Sequence, residues 1–421
     1  MTQLDDLPVE VLEQILLLLD PVDVAQFSQT CSQYHDLVYG DPEDQHLWRE
    51  LYLRQPFDDL RQCYTALGKP LEKIDWKDQL QRIIRARTVL TKVSVCRPEE
   101  RCTVLQTLID MVSNVPPVRH SEVIDLSMNH VWATAMLRGS TLIEHEEWEL
   151  SPEERQLRAR LHTYFGLTAR DFQHQNRTAS RAFVYAMRNY KYDNDFGPFM
   201  MDGSGRVNWV HIRAIHHVMS MHIVPTTEET QSAEFNLFPM SMPWTQSMIP
   251  EGMELDKEQD WAGVTGRWQC SFCFMDHREL LIYNNFNSSD SAPLHTEIFE
   301  DPDFVEVFRS IYVDLRVLGT EEDPDHPGRP RINFGGTLDG HAIFVGYVKV
   351  TPDDQIRWHF TSGEQGNAIW SSEGVQVGNV RSKFGILGSW TTVLHDRHDP
   401  VGPFWLWKVG DAEDGDDEAS T

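Results

Sequence analysis

The first fifty residues place apolar side chains at helical spacing, interrupted by pairs of an acidic residue and a proline. Apolar positions recur in steps of three and four over residues 12–19, which predicts a short amphipathic helix. Asp20-Pro21 and Asp41-Pro42 each put an acidic cap before a proline, so we expect three or four short helices in total. Four consecutive leucines make the first helix apolar on every side, so a second surface must cover it, in this chain or in another protein.

Taken as a set, these positions resemble the F-box, and the resemblance covers roughly the first 50 residues. The matching positions are Leu7-Pro8, Glu10-Val11-Leu12, Ile15, Leu19-Asp20-Pro21, Val24, Phe27, Cys31, Tyr34 and Leu47-Trp48-Arg49. No single position is specific, but the combination is. The resemblance implies docking on Skp1 and, through Skp1, on a cullin-RING ubiquitin ligase.

The resemblance also implies which side chains face Skp1. Central apolar anchors contribute most of the energy of an interface. By analogy, the surface facing Skp1 is formed or supported by Leu7, Pro8, Leu12, Ile15, Leu19 and Trp48. Some of these side chains must also hold the helices together, and the sequence leaves that division open.

The middle of the chain, residues 56–225, predicts an irregular helical region, because helical spacing recurs without a regular repeat period. Ser151-Pro152-Glu153-Glu154 is a capping box that starts one of its helices. A later helix carries four histidines, and no two of them are four residues apart, as a zinc pair on one helix face requires. We expect surface or partly buried positions for these residues: His211, His216, His217 and His222.

Residues 226–260 change character, because prolines alternate with methionines. Methionine has a flexible thioether that suits adaptable binding surfaces. A structural strap packed across the next domain is the preferred interpretation, and a peptide-binding surface is the alternative.

From residue 261 onward, alternating apolar segments separated by Asn, Asp, Gly and Pro predict about eight strands. Strands without interleaved helices favour a closed antiparallel barrel over a sandwich. The predicted strand segments are GRWQCSFCFM, RELLIYN, IYVDLRVLG, RINFGG, HAIFVGYVKV, QIRWHF, AIWSSEGVQVG and GILGSWTTVL. The chain as a whole is therefore predicted to be α+β.

Two short motifs in this region resemble known barrels. Gly266-Arg-Trp268 and Gly388-Ser-Trp390 are similar to the Gly-x-Trp that opens lipocalin-like barrels, in which the tryptophan plugs one end. The segment DPVGPFWLW, residues 399–407, resembles the closing segment of fungal F-box proteins with this layout. The layout also resembles F-box receptors in which a β-barrel binds short peptide degrons.

A binding role of the barrel depends on whether its interior is filled. The candidate binding residues are Arg267, Trp268, Arg357, Trp358, Trp370 and Trp390. Tryptophans in a barrel commonly belong to its core, which favours a peptide bound at the surface. A cavity of roughly several hundred Å³ would instead favour a small apolar ligand.

Catalytic and metal-binding motifs are not recognisable in the sequence. It contains no GxSxG elbow, phosphate loop, dinucleotide fingerprint or HExxH motif. Cys270-x-x-Cys273 lies near His277, but residues three apart on a strand point to opposite faces, so we expect two buried thiols. We expect an adaptor with no catalytic residue, no metal and no cofactor.

Charge narrows the choice of partners. The chain has 37 Lys and Arg against 65 Asp and Glu, a formal charge of −28. Such a field repels nucleic acids and anionic membranes, so neither is an expected partner. No segment approaches the roughly 20 apolar residues of a membrane span, and the N-terminus lacks a basic leader. We expect a cytoplasmic or nuclear protein whose acidity favours basic substrates or serves solubility.

These observations predict five segments and one main function. The predicted function is that of a substrate-recognition adaptor of an SCF-type ubiquitin ligase. The alternatives are a barrel that carries or senses a small apolar ligand, and an F-box protein that acts with Skp1 outside a ligase. The segments are an F-box at 1–55, a helical domain at 56–225, a Pro/Met linker or strap at 226–260, a substrate-binding barrel at 261–409 and a disordered acidic tail at 410–421.

Overall fold

The computed structural model describes residues 4, 7–40, 45–119, 126–224, 239–287, 289–338, 342–364 and 366–410. Its contacts divide the chain into two units. Unit 1 comprises residues 1–65, 70–116 and 126–149, and unit 2 comprises residues 66–69, 117–125 and 150–421. The predicted helical domain at 56–225 therefore lies partly in each unit.

Unit 1 is helical, as the apolar spacing predicted. Asp20 caps the second helix by accepting a hydrogen bond from the Val22 N–H at 2.9 Å, with Pro21 at the first helical position. The Asp41-Pro42 pair lies outside the described residues. The helices are α1 (Val9–Leu16), α2 (Pro21–Ser28), α3 (Ser32–Tyr39), α4 (His46–Leu53), α5 (Trp76–Thr91), α6 (Arg101–Ser113) and α7 (Met128–Arg138).

One apolar core joins the first four helices to the later helices of unit 1. Trp48 and Tyr52 from α4 belong to the same buried cluster as Leu80 from α5 and Met111 from α6. Arg87 of α5 also forms an ion pair with Asp20, at 2.7 Å, at the start of α2. The N-terminal helices therefore obtain part of their stability from residues beyond the predicted boundary at 55.

Among its described residues, unit 2 contains four further α-helices and an eight-stranded barrel. The helices are α8 (Pro152–Phe165), α9 (His174–Val184), α10 (Trp209–Ile223) and α11 (His277–Tyr283). The predicted capping box is present at the start of α8, where the Glu154 carboxylate accepts from the Ser151 N–H at 2.7 Å. Among the helices of the described residues, none is both long and apolar enough to cross a bilayer.

The strands form a closed antiparallel barrel in sequence order, which confirms the predicted barrel. Each strand pairs with the next, and the last pairs with the first, for example Cys270 with Leu406. Closure removes the unpaired edges that an open sheet would expose. The strands are β1 (Gly266–Phe274), β2 (Val307–Glu321), β3 (Arg331–Leu338), β4 (Ala342–Val350), β5 (Ile356–Glu364), β6 (Asn367–Gln376), β7 (Ile386–Thr392) and β8 (Gly402–Gly410).

The predicted number of strands is confirmed, but two assignments differ. RELLIYN is wrong as a strand, because these residues form most of helix α11 between β1 and β2. Asp276 starts that helix by accepting hydrogen bonds from the N–H groups of Arg278 and Glu279. The eighth strand is instead β8, which begins within the segment DPVGPFWLW and ends three residues after it. The expectation of a barrel without interleaved helices is thus also wrong.

The described part of the Pro/Met segment, 239–260, packs as a strap within unit 2. Met240 and Met242 are fully buried, which leaves neither available as an adaptable binding surface. The Thr245 carbonyl accepts from the Asn379 N–H at 2.8 Å. Gly378 has φ +89°, and a Cβ there would lie 2.5 Å from the Thr245 Cα, so this close approach requires glycine. Residues 225–238 and 411–421, with most of the predicted acidic tail, lie outside the described part of the chain.

Three of the four histidines of α10 are fully buried, unlike the surface or partly buried positions expected from the sequence. Burial lowers the pKa of His211 and of His216 to about 3, and that of His217 to about 4. His217 is held by the Ser180 hydroxyl at Nδ1 and by the Asp171 carbonyl at Nε2. These side chains are neutral parts of the core of unit 2.

The buried histidines predict acid sensitivity. In the unfolded chain these histidines take up a proton near pH 6.5, and in the folded chain only near pH 3 to 4. The free energy of unfolding therefore falls as pH drops through that range. At pH 5, each such histidine should lower the free energy of unfolding by roughly 2 kcal/mol. Urea unfolding at several pH values from 7.5 to 4.5 measures the slope of the free energy of unfolding against pH. His217→Gln should flatten it, whereas His35→Gln at the surface should not; an equal slope in all three proteins would contradict the prediction.

Candidate functional site

The first candidate site is an apolar surface around α1. Leu18 is 78% exposed, and Val11, Ile15, Leu19 and Val22 are exposed as well. We call these five residues the α1 apolar face. Isolated exposed leucines are common, but five exposed apolar side chains within residues 11–22 indicate a candidate interaction site.

The predicted Skp1-facing residues separate into two groups. Ile15 and Leu19 are 38% and 36% exposed, and Pro8 is exposed too. Leu7 is half-buried. Leu12 and Trp48 are 3% and 4% exposed, so they support the helices from inside.

Sequence reasoning missed three members of the α1 apolar face: Val11, Leu18 and Val22. The available signal was the apolar surplus of the first helix, which showed that some leucines lack a partner. It did not show which ones, because that depends on where α4 and α5 pack.

The second candidate site is the interior of the barrel, which is closed at one end. Trp268 on β1 and Trp358 on β5 pack there with ring centroids 5.2 Å apart, and both are buried. The Trp268 indole N–H donates to the Val264 carbonyl at 2.7 Å. The tryptophan of the first Gly-x-Trp motif therefore belongs to the closed end of the barrel.

 The opposite end of the barrel contains an apolar cavity of about 620 Å³. A separate open cleft has a volume of about 960 Å³. Seven of the twenty residues that line the apolar cavity are phenylalanine or tryptophan: Phe272, Phe274, Phe344, Phe360, Trp370, Trp390 and Phe404. A pocket of this size and composition suits a small apolar ligand.

Two pairs of aromatic side chains shape the wall of this cavity. Trp370 and Trp390 meet edge to face at 5.2 Å, and Phe344 stacks on Phe360 at 4.3 Å. The Trp390 indole N–H donates to the Cys273 carbonyl at 3.2 Å. Hydrogen bonding and ring packing thus hold the wall around an open space.

Of the six predicted binding residues, two line the cavity: Trp370 and Trp390. Trp268 and Trp358 belong to the closed end, and the two arginines lie on the outer face of the barrel. Strand neighbours point to opposite faces, so an arginine beside an inward tryptophan points outward. Arg267 and Arg357 are therefore not among the residues that line this cavity.

Ion pairs and a ring contact hold Arg357 on the outer face of the barrel. Its guanidinium forms ion pairs with Glu373 at 2.8 Å and with Asp195 at 2.7 Å, and it lies over the Phe199 ring. These carboxylates hold the pKa of Arg357 above its usual range, against the opposing effect of burial. Arg267 instead lies over the exposed ring of Tyr312.

The two cysteines of the Cys-x-x-Cys motif point to opposite faces, as predicted. Cys270 lines the cavity, and burial raises the pKa of its thiol to about 12. Cys273 contacts the Met219 sulfur at 3.6 Å, and burial raises its pKa well above the usual value. Among the described residues, no group of three or more His, Cys, Asp or Glu side chains is placed to hold a metal ion.

The open cleft lies beside the loops that follow β2 and β4, and its lining is acidic. Its basic side chains are Arg331, Lys349 and Arg357, and internal ion pairs occupy some of its carboxylates, including Asp195. The carboxylate residues that line it are Asp193, Asp195, Glu321, Glu322, Asp323, Asp325 and Asp354.

Comparison with known proteins identifies the N-terminal region. Residues 4–54 match the family model described as F-box-like, which confirms the resemblance seen in the sequence. Searches of the curated proteins and of the solved structures give no significant match. The chain thus combines an F-box-like domain with further helices and a closed C-terminal barrel.

Burial predicts a clear order of thiol reactivity. Cys31 is exposed, whereas Cys270 and Cys273 are buried with raised pKa values, so little thiolate forms at neutral pH. A maleimide at pH 7 should label Cys31 in the native protein and the other two only after unfolding. Mass spectrometry locates the labels, and Cys31→Ala should remove the rapid reaction. Equally rapid labelling of native Cys273 would contradict the prediction.

Proposed function

Because residues 4–54 match the F-box-like family, we propose that this chain is a substrate-recognition adaptor of an SCF-type ubiquitin ligase. The F-box-like domain docks on Skp1, Skp1 connects it to a cullin-RING ligase, and the C-terminal barrel holds a protein substrate. The family match is the observation that carries the proposal. The proposed role places the protein in the cytoplasm or the nucleus.

The α1 apolar face supports the docking step. Ile15, Leu18 and Leu19 expose apolar surface that a partner would remove from water. Burying one such side chain contributes roughly 1.5–3 kcal/mol. Leu12 and Trp48 lie behind this surface and fix its shape, so they act as supporting residues in the proposed interface.

The proposal assigns no catalytic residue to this chain. An adaptor accelerates ubiquitin transfer by holding a substrate lysine close to a conjugating enzyme, and this effect needs binding and orientation alone. A thioester mechanism would need an activated thiol, whereas burial raises the pKa of Cys63, Cys270 and Cys273.

The cavity favours a second candidate function, the binding of a small apolar ligand inside the barrel. Its volume of about 620 Å³ falls within the range typical of ligand pockets, roughly 300–1,000 Å³. A filled barrel would have favoured peptide recognition at the surface alone. In this second function the protein is a ligand carrier or a ligand-gated receptor.

Substitution of the α1 apolar face tests the proposed docking. The double variant Ile15→Glu with Leu18→Glu places two charges on this face and should weaken Skp1 binding at least tenfold, because central apolar anchors dominate an interface. Biolayer interferometry with purified Skp1 measures the dissociation constant. Leu394→Glu is the matched control, since Leu394 is exposed and lies in unit 2.

The outcomes separate the possible roles. Loss of Skp1 from a double variant that keeps its circular dichroism spectrum would support docking through the α1 apolar face. Failure of the wild-type protein to bind Skp1 would overturn the adaptor proposal. Binding of Skp1 without recruitment of a cullin would indicate a role outside a ubiquitin ligase.

A further inference from the structure

We infer that the barrel cavity prefers apolar ligands that carry an amine over those that carry a carboxylate. This inference rests on the second candidate function, ligand binding in the cavity, and it names the chemical class of the ligand. The preference depends on the charged side chains around the cavity, because the aromatic wall does not distinguish an amine from a carboxylate.

The wall accommodates the apolar part of such a ligand. Phe344, Phe360 and Phe404 are buried within the barrel and lie against the cavity, together with the thiol of Cys270. Their surfaces remove apolar groups from water without demanding a particular hydrogen-bond pattern. The wall therefore selects for apolar character and leaves the polar end of the ligand to the cavity rim.

The charged side chains that line the cavity are acidic. Asp276 and Glu364 are exposed and contribute carboxylates, and no lysine or arginine is among the described lining residues. Asp276 uses Oδ1 to cap α11 through the N–H groups of Arg278 and Glu279. For Glu364, no side-chain hydrogen bond or ion pair is seen among the described residues.

His277 also lines the cavity, where a backbone carbonyl oxygen holds its ring. Its Nε2 lies 2.7 Å from the His398 carbonyl oxygen, which can only accept, so Nε2 carries a proton and donates it there. A ligand carboxylate at this rim would thus meet two carboxylates and, among the described lining residues, neither a lysine nor an arginine. A buried or half-buried charge without a partner is costly.

An ammonium group at this rim is attracted by the same carboxylates. It gains attraction from Glu364 and Asp276, and the exposed Trp370 indole offers an aromatic face for a cation–π contact. The formal charge of −28 acts in the same direction over a longer range. The acidic rim, the aromatic surface and the lack of a lysine or arginine in the described lining therefore all favour the amine.

Three probes of equal chain length test this preference with the whole 421-residue chain. Nile red, a neutral apolar dye, should fluoresce in the cavity, and octylamine, 1-octanol and octanoate should then compete with it. Octylamine should displace the dye at a concentration at least about tenfold lower than octanoate at low salt, with octanol between them. High salt should reduce the difference, because it screens exposed charges.

Two variants test whether Glu364 contributes to the preference for octylamine. Glu364→Gln should reduce the preference for octylamine over octanoate and leave octanol unchanged. Glu322→Gln is the matched control, since it removes the same charge at the acidic cleft rather than at the cavity. An equal effect of both variants would overturn the role of Glu364 in this preference.

A cavity-blocking variant separates the inference from the function on which it rests. Ser362 lines the cavity, and Ser362→Trp should abolish the Nile red signal while Skp1 binding and the circular dichroism spectrum remain. Dye fluorescence that is absent in the wild type, or unchanged in this variant, would overturn the cavity as a ligand site. Dye binding that octanoate displaces as well as octylamine would overturn the amine preference alone.

Discussion

The pairing of β8 with β1 is the interaction on which the architecture of unit 2 depends. This pairing closes eight strands into a barrel and leaves no unpaired edge between them. Closure also defines an inside, so that alternate residues of each strand face one shared interior. Trp268 and Trp358 fill that interior at one end, and the cavity occupies the other.

A different constraint shapes unit 1. Its four short N-terminal helices have few residues to bury, and they share a core with α5 and α6. In α1, Leu12 and Leu16 are buried, whereas Ile15 remains exposed to water. A helix that is apolar all round can thus serve a core and present a surface at the same time. The proposed adaptor role depends on this division, because the same helix must stay folded and bind.

The errors of sequence interpretation have local physical causes. RELLIYN consists mostly of residues that a buried strand tolerates, but Asp276 caps a helix immediately before it. Arg267 and Arg357 each precede a buried tryptophan of the barrel interior, and strand geometry turns neighbouring side chains to opposite faces. The buried histidines of α10 were underestimated because their helix packs within unit 2, which no spacing rule reveals.

The sequence by itself determined the F-box-like helices, the acidic cap and proline of α2, seven of the eight strands and the opposite orientations of Cys270 and Cys273. These features depend on spacing and capping within a few residues, so the local sequence encodes them. Only the tertiary structure decided which apolar residues of the first helix stay exposed, which strand closes the barrel and that its interior keeps a cavity of about 620 Å³. Burial and enclosed volume depend on residues far apart in the chain, and folding alone brings those residues together.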